Sequence, residues 1–370
     1  MSSRKPPDGR ALRGFRFEAA GTRCEVVVGP GALARLAGVL PRIAPGRWFV
    51  VSSGPVLAAQ GGRLAEALQG ARDVDPEPLT VPDGEAAKRW TALGRLLSEM
   101  AARGLKRDGG IVAFGGGTVG DVAGLAASLA LRGVPVVQVP TTLLAAADSA
   151  LGGKTAVNLA GGKNLAGTFH HPRLVCADTR LLSSLPERDY RSGLAEVVKS
   201  ALLSAPFWRR LPALAEGLAE RDEAVLAEAV ERSLRLKASI VSRDPGEALG
   251  LRHVLNLGHT VAHGLEGASG YRLRHGEAVA WGLLAALRLS AARGLLPERA
   301  AVQAGSRVAE LLSPPVLPPA IRRNWPSFLA SDKKTDRAGL RDVLLEGPGR
   351  PRLVRVCAAE LVSSLPGADG

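Results

Sequence analysis

The chain is short of lysine, histidine, cysteine and aromatic residues, and each shortage narrows what it can be. Of its 48 basic residues only nine are lysine, and it has six histidines and three cysteines. Cys24, Cys176 and Cys357 are scattered and odd in number. That excludes a disulfide framework or a paired-cysteine metal site and fits a reducing cytoplasm. Aromatics make up 4%, too few for a base-stacking platform, and no dense basic block accompanies the net charge of +13. A nucleic-acid partner is therefore not expected, whereas an anionic small substrate is compatible with the charge. No apolar run reaches the ~20 residues of a membrane span, so no membrane partner is expected. The opening MSSRKPPDGRALRG is basic and rich in Pro and Gly, with no apolar stretch behind it. It is not a secretory signal, and residues 1–13 read as a disordered tail.

What is present supports two cores, since the chain has 370 residues and 46% hydrophobic content. CEVVVG (24–29), RWFVVSSG (47–54), GGIVAFGGG (109–117) and VPVVQVP (134–140) are buried-strand patterns. WTALGRLLSEMAARGL (90–105) has helical spacing. Strand, helix and strand in series imply a parallel sheet covered on both faces. From about Pro186 the pattern becomes long and amphipathic, as in EAVLAEAVERSLRLKASIVSRD and HGEAVAWGLLAALRLSAARGLL. The expected fold is an α/β parallel-sheet nucleotide-binding domain over 14–185 and a mainly α-helical domain over 186–370.

Three stretches carry chemistry. In IVAFGGGTVGDVAGLAA, Gly115, Gly117 and Gly120 satisfy GxGxxG after a strand and before a helix. Such a turn lets backbone amides approach a pyrophosphate at a helix N-terminus. The following strand offers Gln138 where the ordinary dinucleotide fold has an acid, so this is either a non-standard nucleotide turn or a packing turn. In VPTTLLAAADSALGGKTAVNLAGGKNLAG (139–167), two Gly-Gly-Lys units place Lys154 and Lys163 in flexible backbone near Asp148, Asn158 and Asn164. That suits phosphate or carboxylate, with solvated loop lysines as the alternative. Because this chain writes Arg for most positive charge, a retained lysine marks either a need for a compact ammonium or chance survival. In LNLGHTVAHGLEGASGYRLRHGE (255–277), His259 and His263 are i and i+4 on one helix face, and His275 follows. With a carboxylate such as Glu196 of GLAEVVKSALL they could form a zinc-type site; core or solvated histidine remains open.

Taken in order, GGGTVGD, RGVPVVQVPTTLLA, DSALGGKT, GKN, GLAEVVK, LRHVLNLGHTVAH and HGEAVAWG resemble the 3-dehydroquinate synthase family of sugar phosphate cyclases. These are related in fold to iron-dependent alcohol and glycerol dehydrogenases. The resemblance spans roughly Pro82 to Lys334. It implies zinc or cobalt on Glu196, His259 and His275, with His263 facing substrate and handling protons. It implies NAD on Gly115, Gly116, Gly117 and Asp121, with Thr141, Thr142, Lys163 and Ser184 near it and Glu85 and Lys88 of DGEAAK at the ribose. Substrate phosphate and carboxylate would fall to Arg132, Lys154, Asn164, Lys237, Arg252 and a lysine of DKK, Lys333 or Lys334. Asp148, Lys199 and Asn256, with Lys154, would surround the reacting ring. Arg132 would reach the neighbouring subunit's site, which implies a homodimer. Where the family usually has an acid after its first long strand, this chain has Ser53. Ser184 stands where Thr is common.

The activity implied is conversion of 3-deoxy-D-arabino-heptulosonate 7-phosphate to 3-dehydroquinate and phosphate, with hydride passed to NAD and back, a step of aromatic amino acid biosynthesis. Rivals are an amino-dehydroquinate or valiolone-type cyclase, or a metal- and NAD-dependent alcohol dehydrogenase. A valiolone-type substrate lacks the carboxylate, and changes would be expected at Lys237, Asn256 or His263. A dehydrogenase would not need the double Gly-Gly-Lys loop.

Overall fold

The computed structural model describes residues 12–367, apart from 72, 76, 332–334 and 337–338. Residues 1–11 of the expected tail, and both Lys333 and Lys334, lie outside the described residues. Arg13, expected in the tail, already pairs with Val28 in the first strand.

The chain forms two compact units. The first comprises 1–185 and 217–248. Its strands are β1 (Arg13–Ala19), β2 (Thr22–Val28), β3 (Trp48–Ser53), β4 (Leu79–Val81), β5 (Gly110–Gly115), β6 (Val136–Pro140), β7 (Lys154–Leu159), β8 (Gly162–Phe169) and β9 (Leu174–Ala177). Seven of them make one sheet in the order β1-β2-β9-β6-β5-β3-β4. Pairing is parallel except between β1 and β2. β3, β5 and β6 are buried along their whole length, as continuous apolar runs require. Alternate residues feed two cores: Phe49, Val51, Ile111 and Ala113 on one face, Trp48, Val50, Val112 and Phe114 on the other. β7 and β8 form a separate antiparallel hairpin.

The domain cut expected at 185/186 is too simple. The helix Glu223–Val241, expected in the second domain, packs in the first unit against β1, β2 and the turn Ala145–Ser149. Its start is fixed by the Asp222 carboxylate, which accepts from Ala224 N and Val225 N at 2.9 Å each. An amphipathic stripe announces a helix but does not say which core it faces.

The second unit comprises 186–216 and 249–370. The helix His275–Ala292 lies at its centre, buried on most sides. Around it pack the helices Glu187–Leu202, His259–Ala268 and Glu298–Leu312 and the middle strand of a small antiparallel sheet. That sheet has the order β10 (Thr335–Asp336), β11 (Gly339–Leu345), β12 (Pro351–Val356). Among the described residues no helix is long and apolar enough to cross a membrane.

Candidate active site

The glycine turn of the first unit ends β5 and opens the helix Gly117–Leu129, with Gly116 as its N-cap. Gly120 is spent on packing: a Cβ there would lie 2.8 Å from Gln138 Oε1, and Gln138 Nε2 donates to Gly120 O at 3.1 Å. Gln138 therefore ties β6 to the helix. Thr141 N donates to Gly115 O at 2.9 Å, and the Thr142 hydroxyl caps Ala145 N at 3.2 Å. Both threonines are thus held beside the turn.

Next to it lies a polar network drawn from three separate stretches. Lys88, buried at the end of the short turn Gly84–Lys88, donates to Asp121 Oδ2 at 2.5 Å and to Asn164 Oδ1. Burial raises the Asp121 carboxyl above its usual value, against the lowering pull of the Lys88 ammonium. Glu85 accepts from Asn158 Nδ2 at 2.7 Å and lies 3.5 Å from Lys163 Nζ. Asn164 sits at φ 55°, in the left-handed region that asparagine tolerates, and its N–H donates to Asn158 Oδ1 at 2.9 Å.

Lys237 and Asp148 also meet. Lys237 Nζ donates to the carboxylate of Asp148 at 2.7 Å and to its main-chain oxygen at 2.9 Å. Asp148 lies in a single π-helical turn, Ala145–Ser149, a geometry frequent at functional sites. Lys154 pairs with Glu247 at 2.6 Å. Ser184 accepts from Gln60 Nε2 at 2.6 Å, and Ser53 donates to Asp83 Oδ1 at 3.3 Å. Glu247 and Gln60 were not expected from the sequence, which carries no local signal for either. Arg132 makes none of these contacts: it is exposed on a turn where Leu131, Arg132 and Gly133 have φ of 52°, 69° and 122°.

In the second unit three helices converge. The helix Glu187–Leu202 supplies Glu196 and Lys199, the helix His259–Ala268 supplies His259, and the first residue of the central helix is His275. Close backbone approach makes this possible. A Cβ on Gly276 would lie 2.1 Å from Ser192 O, and one on Gly282 would lie 1.9 Å from Gly258 O. Gly276 N also donates to Ser192 Oγ at 2.9 Å.

Glu196 Oε1 lies 3.2 Å from His275 Nε2 and 3.6 Å from His259 Nε2, and one ligand atom from each residue falls within 4.8 Å of the others. Two imidazoles and a carboxylate are the donor set of a catalytic zinc-type centre. Burial would raise the Glu196 carboxyl, but the adjoining Lys199 ammonium, the His275 hydrogen bond and His259 hold it well below the usual carboxylate range. Burial, followed by Lys199, pushes His259 well below the usual histidine value, so its ring is the neutral form a metal needs. Burial would lower His275, yet its hydrogen bonds to Glu196 and Glu266 push it up to about 10. His263 stands exposed one turn beyond His259, ring centroids 5.7 Å apart. Arg252 is buried and Asn256 half-buried in the short 3-10 helix Leu251–Asn256.

The family profile of the 3-dehydroquinate synthase N-terminal region matches residues 78–192, and that of the C-terminal region matches 193–335. The chain belongs to the 3-dehydroquinate synthase family. The 3-dehydroquinate synthase of Paracoccus denitrificans is 43% identical over 339 residues, 88% of this chain and 90% of that protein. Solved sugar phosphate cyclases share the fold. A 2-deoxy-scyllo-inosose synthase with carbaglucose-6-phosphate, NAD+ and Co2+ is 28% identical, with a TM-score of 0.82 over 95% of this chain and 99% of that one. The 2-epi-5-epi-valiolone synthase of Streptomyces hygroscopicus, with NAD+ and Zn2+, is 31% identical, with a TM-score of 0.81 over 96% and 97%.

Proposed function

We propose that this protein converts 3-deoxy-D-arabino-heptulosonate 7-phosphate to 3-dehydroquinate and phosphate, using NAD and a divalent metal, zinc or cobalt. The observation that carries the reading is the meeting of Glu196, His259 and His275 in a chain with this family membership. When bound, the two groups supply a reversible hydride acceptor and a Lewis acid that acidifies the substrate hydroxyl.

The chain's own residues do the rest. Lys199 keeps Glu196 ionised, and the buried His259 offers a neutral nitrogen. Gly115, Gly116, Gly117, Asp121, Glu85, Lys88, Thr141, Thr142, Lys163 and Ser184 take the dinucleotide. Arg132, Lys154, Asn164, Lys237, Arg252 and one lysine of the 333–334 pair hold the dianionic phosphate and the carboxylate, which fixes one pose of a flexible substrate. Asp148, Lys199 and Asn256 flank the reacting ring, and the exposed His263 handles a proton. Arg132 serves a partner subunit's site in a homodimer. The scattered cysteines favour the cytoplasm.

A valiolone-type substrate is the second reading, favoured by the likeness to that synthase. Lys237, Asn256 and His263, suited to a carboxylated substrate, weigh against it. The decisive test supplies the heptulosonate phosphate and follows phosphate release, with the product identified by mass spectrometry. Failure to turn it over, with turnover of a sugar phosphate that lacks the carboxylate instead, would move the protein to the valiolone type.

A further inference from the structure

The helix His259–Ala268 carries one more polar residue on its histidine face. Positions 259, 263 and 266 are i, i+4 and i+7, so His259, His263 and Glu266 share a stripe. Glu266 Oε1 lies 3.4 Å from His275 Nδ1, while Nε2 of the same ring lies 3.2 Å from Glu196 Oε1. The His275 imidazole is therefore held at both nitrogens, by carboxylates from two other helices. His259 is oriented in a parallel way, with Nδ1 3.1 Å from Leu257 O and Nε2 toward Glu196. In both rings Nδ1 meets an oxygen and Nε2 is turned toward the same atom, Glu196 Oε1. The Glu266 side chain is itself only 16% exposed. Its main-chain oxygen accepts from Tyr271 N and from Ser269 Oγ, both at 2.8 Å, which anchors the turn leading to His275.

We propose that Glu266 is a positioning residue of the metal centre. It accepts Nδ1–H of His275, so that the proton given up when a metal binds is the one on Nε2, and it makes that ring a stronger donor than one held by a neutral carbonyl. The two histidines are then unequal ligands, His275 backed by a carboxylate and His259 by a peptide oxygen. This rests on the metal reading above, which the test checks separately.

The full-length protein is stripped of metal and reloaded. Zinc affinity is measured against a chromophoric chelator, cobalt-loaded protein is read by its visible absorption, and the metal-free forms are melted. Glu266→Leu is expected to bind zinc roughly ten- to a hundredfold more weakly, with displaced cobalt bands and the melting temperature of the metal-free parent. Glu266→Gln keeps an oxygen acceptor without the charge and is expected to recover part of the affinity. Were Glu266→Leu not to fold, Glu266→Gln decides alone, since it should still bind zinc more weakly than the parent. Parent-like affinity and cobalt bands in the folded variants would overturn the proposal. His275→Ala is the control. If it too binds zinc like the parent, the centre itself is misplaced and the metal reading fails with it.

Discussion

Two of the few lysines, Lys88 and Lys199, are almost wholly buried, and each lies against a carboxylate, Asp121 or Glu196. A buried ammonium is costly unless it is paired. A lysine meets such a carboxylate as a compact point charge, without the wider planar fork of arginine, which gives these two retained lysines a physical reason. Asp121→Asn should weaken NAD binding roughly ten- to a hundredfold, the worth of a charge-assisted hydrogen bond, and leave zinc affinity unchanged. Calorimetric titration with each ligand checks this, and parent-like NAD affinity would remove Asp121 from the site. The cysteines give a second expectation. Burial pushes the Cys24 thiol up to about 12 and raises Cys176 as well, whereas Cys357 is exposed. A thiol reagent should therefore label Cys357 alone in the native protein and all three cysteines after denaturation. Rapid native labelling of Cys24 or Cys176 would contradict the burial of β2 and β9.

At the scale of elements, the proposed centre depends on helices that touch backbone to backbone. The histidines of the 255–277 stretch are visible in sequence, but the need for Gly276 is not. Nothing local says that Ser192 O will stand where its side chain would go. Gly276→Ala should force the central helix away from the helix that bears Glu196. The expected cost is roughly 1–3 kcal/mol of stability, as for overpacking elsewhere, together with a loss of zinc affinity. Gly305→Ala is the matched control, because its Cβ would meet Leu284 Cδ2 at an ordinary 3.8 Å within the helix Glu298–Leu312. It should be neutral or stabilise by roughly 0.5–1 kcal/mol. Melting curves and zinc titrations of both variants test the contrast. Equal behaviour would mean that the close approach at Gly276 is not needed.

On the scale of the whole molecule, the residues proposed for the dinucleotide lie in the first compact unit and those proposed for the metal in the second. Chelation should abolish turnover and zinc or cobalt should restore it. NAD should be required without build-up of NADH, because hydride goes out and returns. Stoichiometric NADH would point to a dehydrogenase. The turn at Leu131–Gly133 bears on assembly. Two non-glycine residues at positive φ are a strain that proteins keep where a side chain must be presented. Arg132→Ala and His275→Ala should each be inactive alone, and their mixture should regain activity. In a heterodimer one site keeps its own metal ligands and borrows Arg132 from the other chain. Dead mixtures, with subunit exchange demonstrated, would return Arg132 to its own chain.

The sequence by itself determined a good deal here. The strands β3, β5 and β6 were legible because a buried parallel strand must be a continuous apolar run, and β2 by its short Val26–Val28 run. The glycine turn after β5 and the i, i+4 histidines were legible because each is a short local pattern with a fixed geometry. The resemblance carried by the ordered motifs pointed to Glu196 as the third ligand. Only the tertiary structure decided that the helix Glu223–Val241 belongs with the first unit, where it brings Lys237 to Asp148. It alone set Glu247 against Lys154 and Glu266 against His275. Those pairings join residues whose separation in the chain follows no helix or strand period, so no local spacing encodes them. They arise when apolar faces find their cores and carry the attached charges into reach of one another.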